Sequence, residues 1–211
     1  MHDDWAAQNL HVIRTLMERS ALYRRALAPV TLAAGALGLA AGAAGWWLDL
    51  DGARAFAGFW IGVALAALAL SLVIMRRQSL GDGEAFWSAP TRRVAQAMLP
   101  ALFTGGVAGF VFLLAPWRDP LHAWWLPGIW MLLYGASTHA AGFFMPRGMK
   151  VFGWLFTGLG MACVLYINQR FHAAGLPSLR LAHLLMGATF GGLHLAYGCY
   201  LAATEKPSPG A

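Results

Sequence analysis

The chain has 211 residues, 59% of them hydrophobic and only 11% charged, with a mean hydropathy of +0.56. Soluble domains carry about a quarter charged residues, so this composition leaves too little polar surface for a water-soluble globule and points to an all-α bundle packed in a lipid bilayer. The net charge of +6 does not indicate nucleic acid, because the arginines sit in short clusters between apolar runs, where charges that set membrane orientation belong.

The first 26 residues hold Asp3, Asp4, Glu18 and several arginines, unlike a cleavable signal peptide. The first apolar segment is therefore expected to act as an uncleaved anchor. From Asp4 to Arg25, Trp5, Val12, Ile13, Leu16 and Met17 gather on one helical face, and Arg14, Glu18 and Arg25 on the other. This predicts a short amphipathic helix, either lying on the inner membrane surface or capping the bundle.

A membrane-spanning helix needs about 17–25 mainly apolar residues. Stretches 27–47, 55–75, 94–114, 124–145, 151–168 and 181–202 qualify, none with Asp, Glu, Lys or Arg in its interior. The fifth is the shortest. The predicted organisation is a cytoplasmic segment over 1–26, a six-helix transmembrane domain over 27–202 and a tail over 203–211, in which Lys206-Pro207-Ser208-Pro209-Gly210 reads as disordered. The longest inner connection, 76–93, carries Arg76, Arg77, Arg92 and Arg93 around a Gly81-Asp82-Gly83 turn and reads as a solvated loop.

With the N-terminus inside, the inner segments hold 11 of the 15 basic residues: Arg14, Arg19, Arg24, Arg25, Arg76, Arg77, Arg92, Arg93, Arg147, Lys150 and Lys206. Arg54, Arg118, Arg170 and Arg180 remain outside. That asymmetry predicts a multi-pass protein of a bacterial inner membrane with both termini in the cytoplasm. Trp46, Trp47, Trp117, Trp124, Trp125 and Trp154 fall near predicted span ends, where indoles favour the lipid–water boundary.

Lipid tails are as apolar as leucine, so spans associate by close packing of small residues. Ala34, Gly38 and Gly42 form one such row, Gly105 and Gly109 a second, and Gly187 and Gly191 with Ala188, Gly192 and Ala196 a third. Cys163 and Cys199 lie in apolar segments at different depths and read as packing residues.

Proton pumps and ion-coupled carriers usually keep acids or bases inside the membrane, and these spans contain none. The histidines carry what chemistry remains. His139 and His194 lie about 22 and 20 Å below the outer ends of their spans, at about 1.5 Å per residue. Matched depth is what a haem held between two imidazoles requires; alternatively each ring bonds a neighbour such as Thr138, Tyr134 or Tyr197. His122, His172 and His183 fall near the outer surface and would form a zinc or copper site if their loops converge. Gly135-Ala136-Ser137 followed by Ala182-His183 resembles the serine and histidine order of rhomboid intramembrane proteases. However, the predicted depths of Ser137 and His183 differ by about 16 Å, far beyond a nucleophile–base contact.

Three further stretches together resemble a family of uncharacterised bacterial multi-pass membrane proteins: Ile13-Arg14-Thr15-Leu16-Met17-Glu18-Arg19-Ser20, Leu132-Leu133-Tyr134-Gly135, and Phe190-Gly191-Gly192-Leu193-His194-Leu195-Ala196-Tyr197-Gly198. In that family an IRxxMERS-type helix precedes the first span, the last span ends in a FGGLHxxxG-type pattern, and the gene often sits beside one for a small winged-helix regulator. The resemblance implies that His194, Tyr134 and the Glu18/Arg19 pair are shared features, and it names no reaction. The leading expectation is a non-enzymatic sensory, regulatory or partner-binding membrane component, with a protein partner at the cytoplasmic face against Arg14, Glu18, Arg19 and the 76–93 loop. The alternatives are a haem- or metal-binding redox protein using His139 and His194, and a transporter of small molecules or lipids with an uncharged pathway.

Overall fold

The computed structural model describes residues 27–81, 83, 85–115, 120–145, 148–173 and 175–204. The predicted amphipathic segment with Arg14, Glu18 and Arg19, and the tail from 205, lie outside the described residues.

Every regular element among the described residues is helical. In chain order they are α1 (Leu27–Trp47), α2 (Ala53–Gly81) and α3 (Ala89–Leu114), a 3-10 turn at Pro120–Trp124, α4 (Trp125–Ala141) and α5 (Gly148–Ala173). The last span begins as α6 (Leu179–Met186), widens into a π-helical turn at Gly187–Gly192 and finishes as α7 (Leu193–Thr204). Five helices are long and apolar enough to cross a membrane: Leu27–Trp47, Ala53–Gly81, Ala89–Leu114, Gly148–Arg170 and Leu179–Thr204. The protein is thus a membrane helix bundle.

The short helix is the fourth rather than the fifth. α4 has 17 residues, about 26 Å at about 1.5 Å each, against a hydrocarbon core of about 30 Å. It stops at Ala141, before the expected end at 145, because the chain unwinds there: Phe143 and Phe144 N–H donate to the carbonyls of Ala140 and Ala141, three residues back. Pro146 then disfavours helix at the preceding residue. The fifth stretch gains length at both ends, since Gly148, Met149 and Lys150 continue its helix.

The 76–93 connection also differs from its expected loop. Helical structure continues through Arg76, Arg77, Gln78 and Ser79 to Gly81, and Ser79 Oγ donates back to the Met75 carbonyl (2.9 Å). The helix has ended by Gly83, whose φ of +65° favours glycine. Ser88 then caps α3, its hydroxyl accepting from Thr91 N–H, with Pro90 in the first turn. The turn between α1 and α2 is equally specified. Asp49 has φ +56°, Leu50 N–H bonds the Gly45 carbonyl and Asp49 N–H the Trp46 carbonyl, the paired bonds of a Schellman cap.

α4 packs broadly along α5 and next most along α3. α1 crosses the π turn by direct backbone contact: a Cβ on Gly38 would stand 2.8 Å from Gly191 Cα, and one on Gly42 2.7 Å from Gly187 Cα. The first and third predicted glycine rows are therefore one interface. The row at Gly105 and Gly109 faces the Trp130 ring, whose Nε1–H donates to the Gly105 carbonyl (2.9 Å). A further crossing escaped the row pattern: a Cβ on Gly135 would sit 2.7 Å from the Gly153 carbonyl oxygen, and one on Gly160 2.8 Å from Leu132 N.

The α2–α3 hairpin is the least covered part of the bundle. The buried residues of α2, namely Ala53, Phe56, Ala57 and Trp60, all lie in its N-terminal part. Further along, Leu65, Leu68, Leu72 and Val73 are exposed, as are Leu99, Phe103 and Phe110 of α3. In water such a surface is an aggregation hazard; in a bilayer it is the surface that lipid solvates.

Candidate functional site

Polar groups inside the bundle collect around two imidazoles. His194 opens α7 immediately after the π turn, and its ring is enclosed by Phe152, Phe156 and Tyr134. Its Nδ1 lies 2.6 Å from the Phe190 carbonyl. A carbonyl only accepts, so Nδ1 carries a proton. In the neutral ring Nε2 is then the acceptor, and the Tyr134 hydroxyl donates to it across 2.6 Å. The bond joins α4 to the last span. Removing that donor in Tyr134→Phe leaves Nε2 buried without a partner, so a loss of about 1–2 kcal/mol is expected, read as a lower thermal midpoint of the purified protein.

His139 is not part of this cluster. Its ring meets Phe143 and Trp154 edge-on, both exposed side chains, whereas His194 lies against the buried Phe152 and Phe156. Among the described residues the two rings share no aromatic neighbour, and His139 Nδ1, Ser137 Oγ and Tyr197 Oη are buried atoms with no hydrogen-bond partner.

The second imidazole is His183 on α6, which is fully buried. Trp60 Nε1–H donates to its Nδ1 (3.0 Å), and its Nε2–H donates to the Leu50 carbonyl (3.0 Å). An indole N–H only donates and a carbonyl only accepts, so these partners select one neutral tautomer. The Phe56 and Phe59 rings meet the imidazole edge-on at 4.7 and 5.4 Å. Any Cβ on Gly45 of α1 would collide with the ring. His183 thus ties α1, the α1–α2 turn, α2 and α6 together. Ser137 Oγ bonds neither imidazole, so no serine–histidine dyad forms.

Residues around His183 strengthen this junction. Asp51 Oδ1 accepts the Leu179 N–H at 2.7 Å. It therefore caps α6 from another loop, while Ser178 at the N-cap supplies no side-chain bond. A carboxylate at a helix N-terminus is favoured by the helix dipole. Arg180 Nε pairs with Asp49 (2.9 Å), bonds the Trp46 carbonyl and stacks on the Trp46 ring (4.7 Å). Being partly solvated, this ion pair contributes modestly. Loss of the cap in Asp51→Ala is expected to cost about 1 kcal/mol. Asp51→Asn, which keeps an acceptor, should cost less; hydrogen exchange at the start of α6 measures both.

His122, His172 and His183 fall on different elements. His122 lies in the 3-10 turn, His183 is enclosed by α2 and the α1–α2 turn, and His172 lies near the end of α5 with its side chain outside the described residues. Among the described residues no group of three His, Cys, Asp or Glu has metal-holding geometry. Both cysteines are free thiols. No known protein family matches the chain, and no curated protein or solved structure is found to resemble it.

Proposed function

We propose that the protein is a six-span, non-enzymatic component of a bacterial inner membrane, with both termini cytoplasmic, that docks a regulatory or sensory protein partner at its inner face. The observation that carries this reading is the use made of the buried imidazoles. His183 and His194 commit every ring nitrogen to protein partners that join helices, so the best-placed chemical groups act as fastenings between spans. α4 supplies the sixth crossing: it packs against both α3 and α5, and Trp124, just before its start, is buried with its indole N–H donating to the Pro177 carbonyl (2.8 Å). A span shorter than the hydrocarbon is accommodated by local thinning of the bilayer.

Two experiments test the reading. Reporter fusions at Leu50, Trp117 and Gly175 should report the outside, and fusions at Gly83, Pro146 and Ala211 the cytoplasm. A C-terminal reporter on the outside would overturn the six-span arrangement. Cross-linking of intact membranes followed by purification of the full chain should capture a cytoplasmic protein, and deletion of residues 1–20 should abolish that capture. Undiminished capture after the deletion would remove Arg14, Glu18 and Arg19 from the docking surface.

A further inference from the structure

The inner end of the α2–α3 hairpin has a composition that the bundle itself does not use. The apolar stretch of α2 from residue 53 to 75 spans about 34 Å and that of α3 from residue 94 to 114 about 31 Å. Each crosses a hydrocarbon core of about 30 Å. Arg76 and Arg77 therefore emerge at the same level as Arg92 and Arg93, where phosphate groups of the bilayer lie. All four side chains are exposed, and the only ion pair among the described residues is that of Arg180 with Asp49. Between the arginine pairs, Leu80 is 72% exposed and Trp87 58% exposed, with Phe86 beside Trp87 at 6.5 Å between ring centroids. Because α2 remains helical to Gly81 and Ser88 fixes the start of α3, these residues are held on ordered backbone.

We propose that this hairpin tip is a binding surface for anionic phospholipid headgroups, with Arg76, Arg77, Arg92 and Arg93 engaging phosphates. Guanidinium forks match phosphate oxygens bidentately. The four guanidiniums stand at the ends of two apolar runs of bilayer length, the level of the phosphates, and this assigns the surface to lipid. The inference rests on the membrane reading alone and holds whichever protein docks at the inner face. It assigns the hairpin to lipid and leaves the Arg14–Arg25 region for that protein.

The test uses full-length purified protein in nanodiscs of equal parts phosphatidylcholine and phosphatidylglycerol, with retained lipids counted by native mass spectrometry. Phosphatidylglycerol should be enriched among them, and the enrichment should weaken at high salt. Each cation near an anionic surface is worth about fivefold in affinity. The variant Arg76→Gln/Arg77→Gln/Arg92→Gln/Arg93→Gln should therefore lose at least about tenfold of the enrichment, while the matching Arg→Lys variant keeps most of it. If the fourfold Gln variant does not fold, the Arg76→Gln/Arg77→Gln and Arg92→Gln/Arg93→Gln pairs should each give a partial loss. Equal enrichment in the Gln variants, no enrichment in the unaltered protein, or cross-links from this tip to a protein with phosphatidylglycerol retention unchanged would each overturn the proposal. Capture of a cytoplasmic partner is measured separately, so its failure leaves this result standing.

Discussion

Gly191→Ala should destabilise the protein by about 3 kcal/mol, the upper range for overpacking, whereas Gly192→Ala should be neutral or mildly stabilising. The two positions are neighbours in the π turn and equally lacking in side chain. A Cβ on Gly191 would stand 2.8 Å from Gly38 C and still nearer Leu39 N, which are main-chain atoms of α1. No rotamer change relieves a backbone clash, so the first and last spans must part. They then lose the close approach that holds spans together where the hydrophobic effect offers nothing. A Cβ on Gly192 meets nothing within 4 Å, and alanine there lowers the entropy of the unfolded chain. Thermal midpoints of the two variants in one detergent should diverge by about 6–12 °C, at about 2–4 °C per kcal/mol for a chain of this size. Similar midpoints would mean that the α1 crossing contributes little.

The second large effect is expected at His183. His183→Ala removes a fully buried ring and leaves both Trp60 Nε1–H and the Leu50 carbonyl without the partner they have in the structure. Each orphaned group costs about 1–3 kcal/mol, and the vacated space beside Phe56 and Phe59 adds a cavity term. A loss of about 4 kcal/mol follows from these ranges, enough to unfold a marginal bundle at the growth temperature. His183→Gln separates the two contributions, because an amide offers both an acceptor for Trp60 and a donor for Leu50. It should recover part of the loss, and an equal loss in both variants would show that the hydrogen bonds contribute little.

The membrane character of the fold was legible because it depends on apolar run length, which the sequence states directly. Helix ends were harder. Extension through Arg76 to Gly81 places a helix beyond the hydrocarbon, where hydropathy carries no signal. The early end of α4 follows from local turn bonds at 140–144, which outweigh apolar composition. The small-residue rows were visible as rows, but a row does not name its partner, and pairing of Gly38 and Gly42 with Gly191 and Gly187 appears only in three dimensions. The histidines show the same division. Position along a span gives depth, so His139 and His194 could be matched in height. Direction around the helix axis is set by packing, and it turns His139 toward Trp154 and His194 toward Tyr134. Trp60, Asp51 and Arg180 carried no motif at all; Trp60 meets His183 across 123 positions of sequence.

The joining of α1 to the last span has a consequence for how the protein is made. A ribosome delivers Gly38 and Gly42 to the membrane long before Gly187 and Gly191 exist. Throughout synthesis the first helix therefore waits in lipid with its flat face unoccupied, open to any other span with small residues that diffuses past. Only once Leu179–Thr204 has been delivered can these contacts form, and the His183 and His194 bonds form in the same late step. A chain truncated before about residue 187 would insert normally by hydropathy yet never mature, marking it for the membrane proteases that remove unassembled helices.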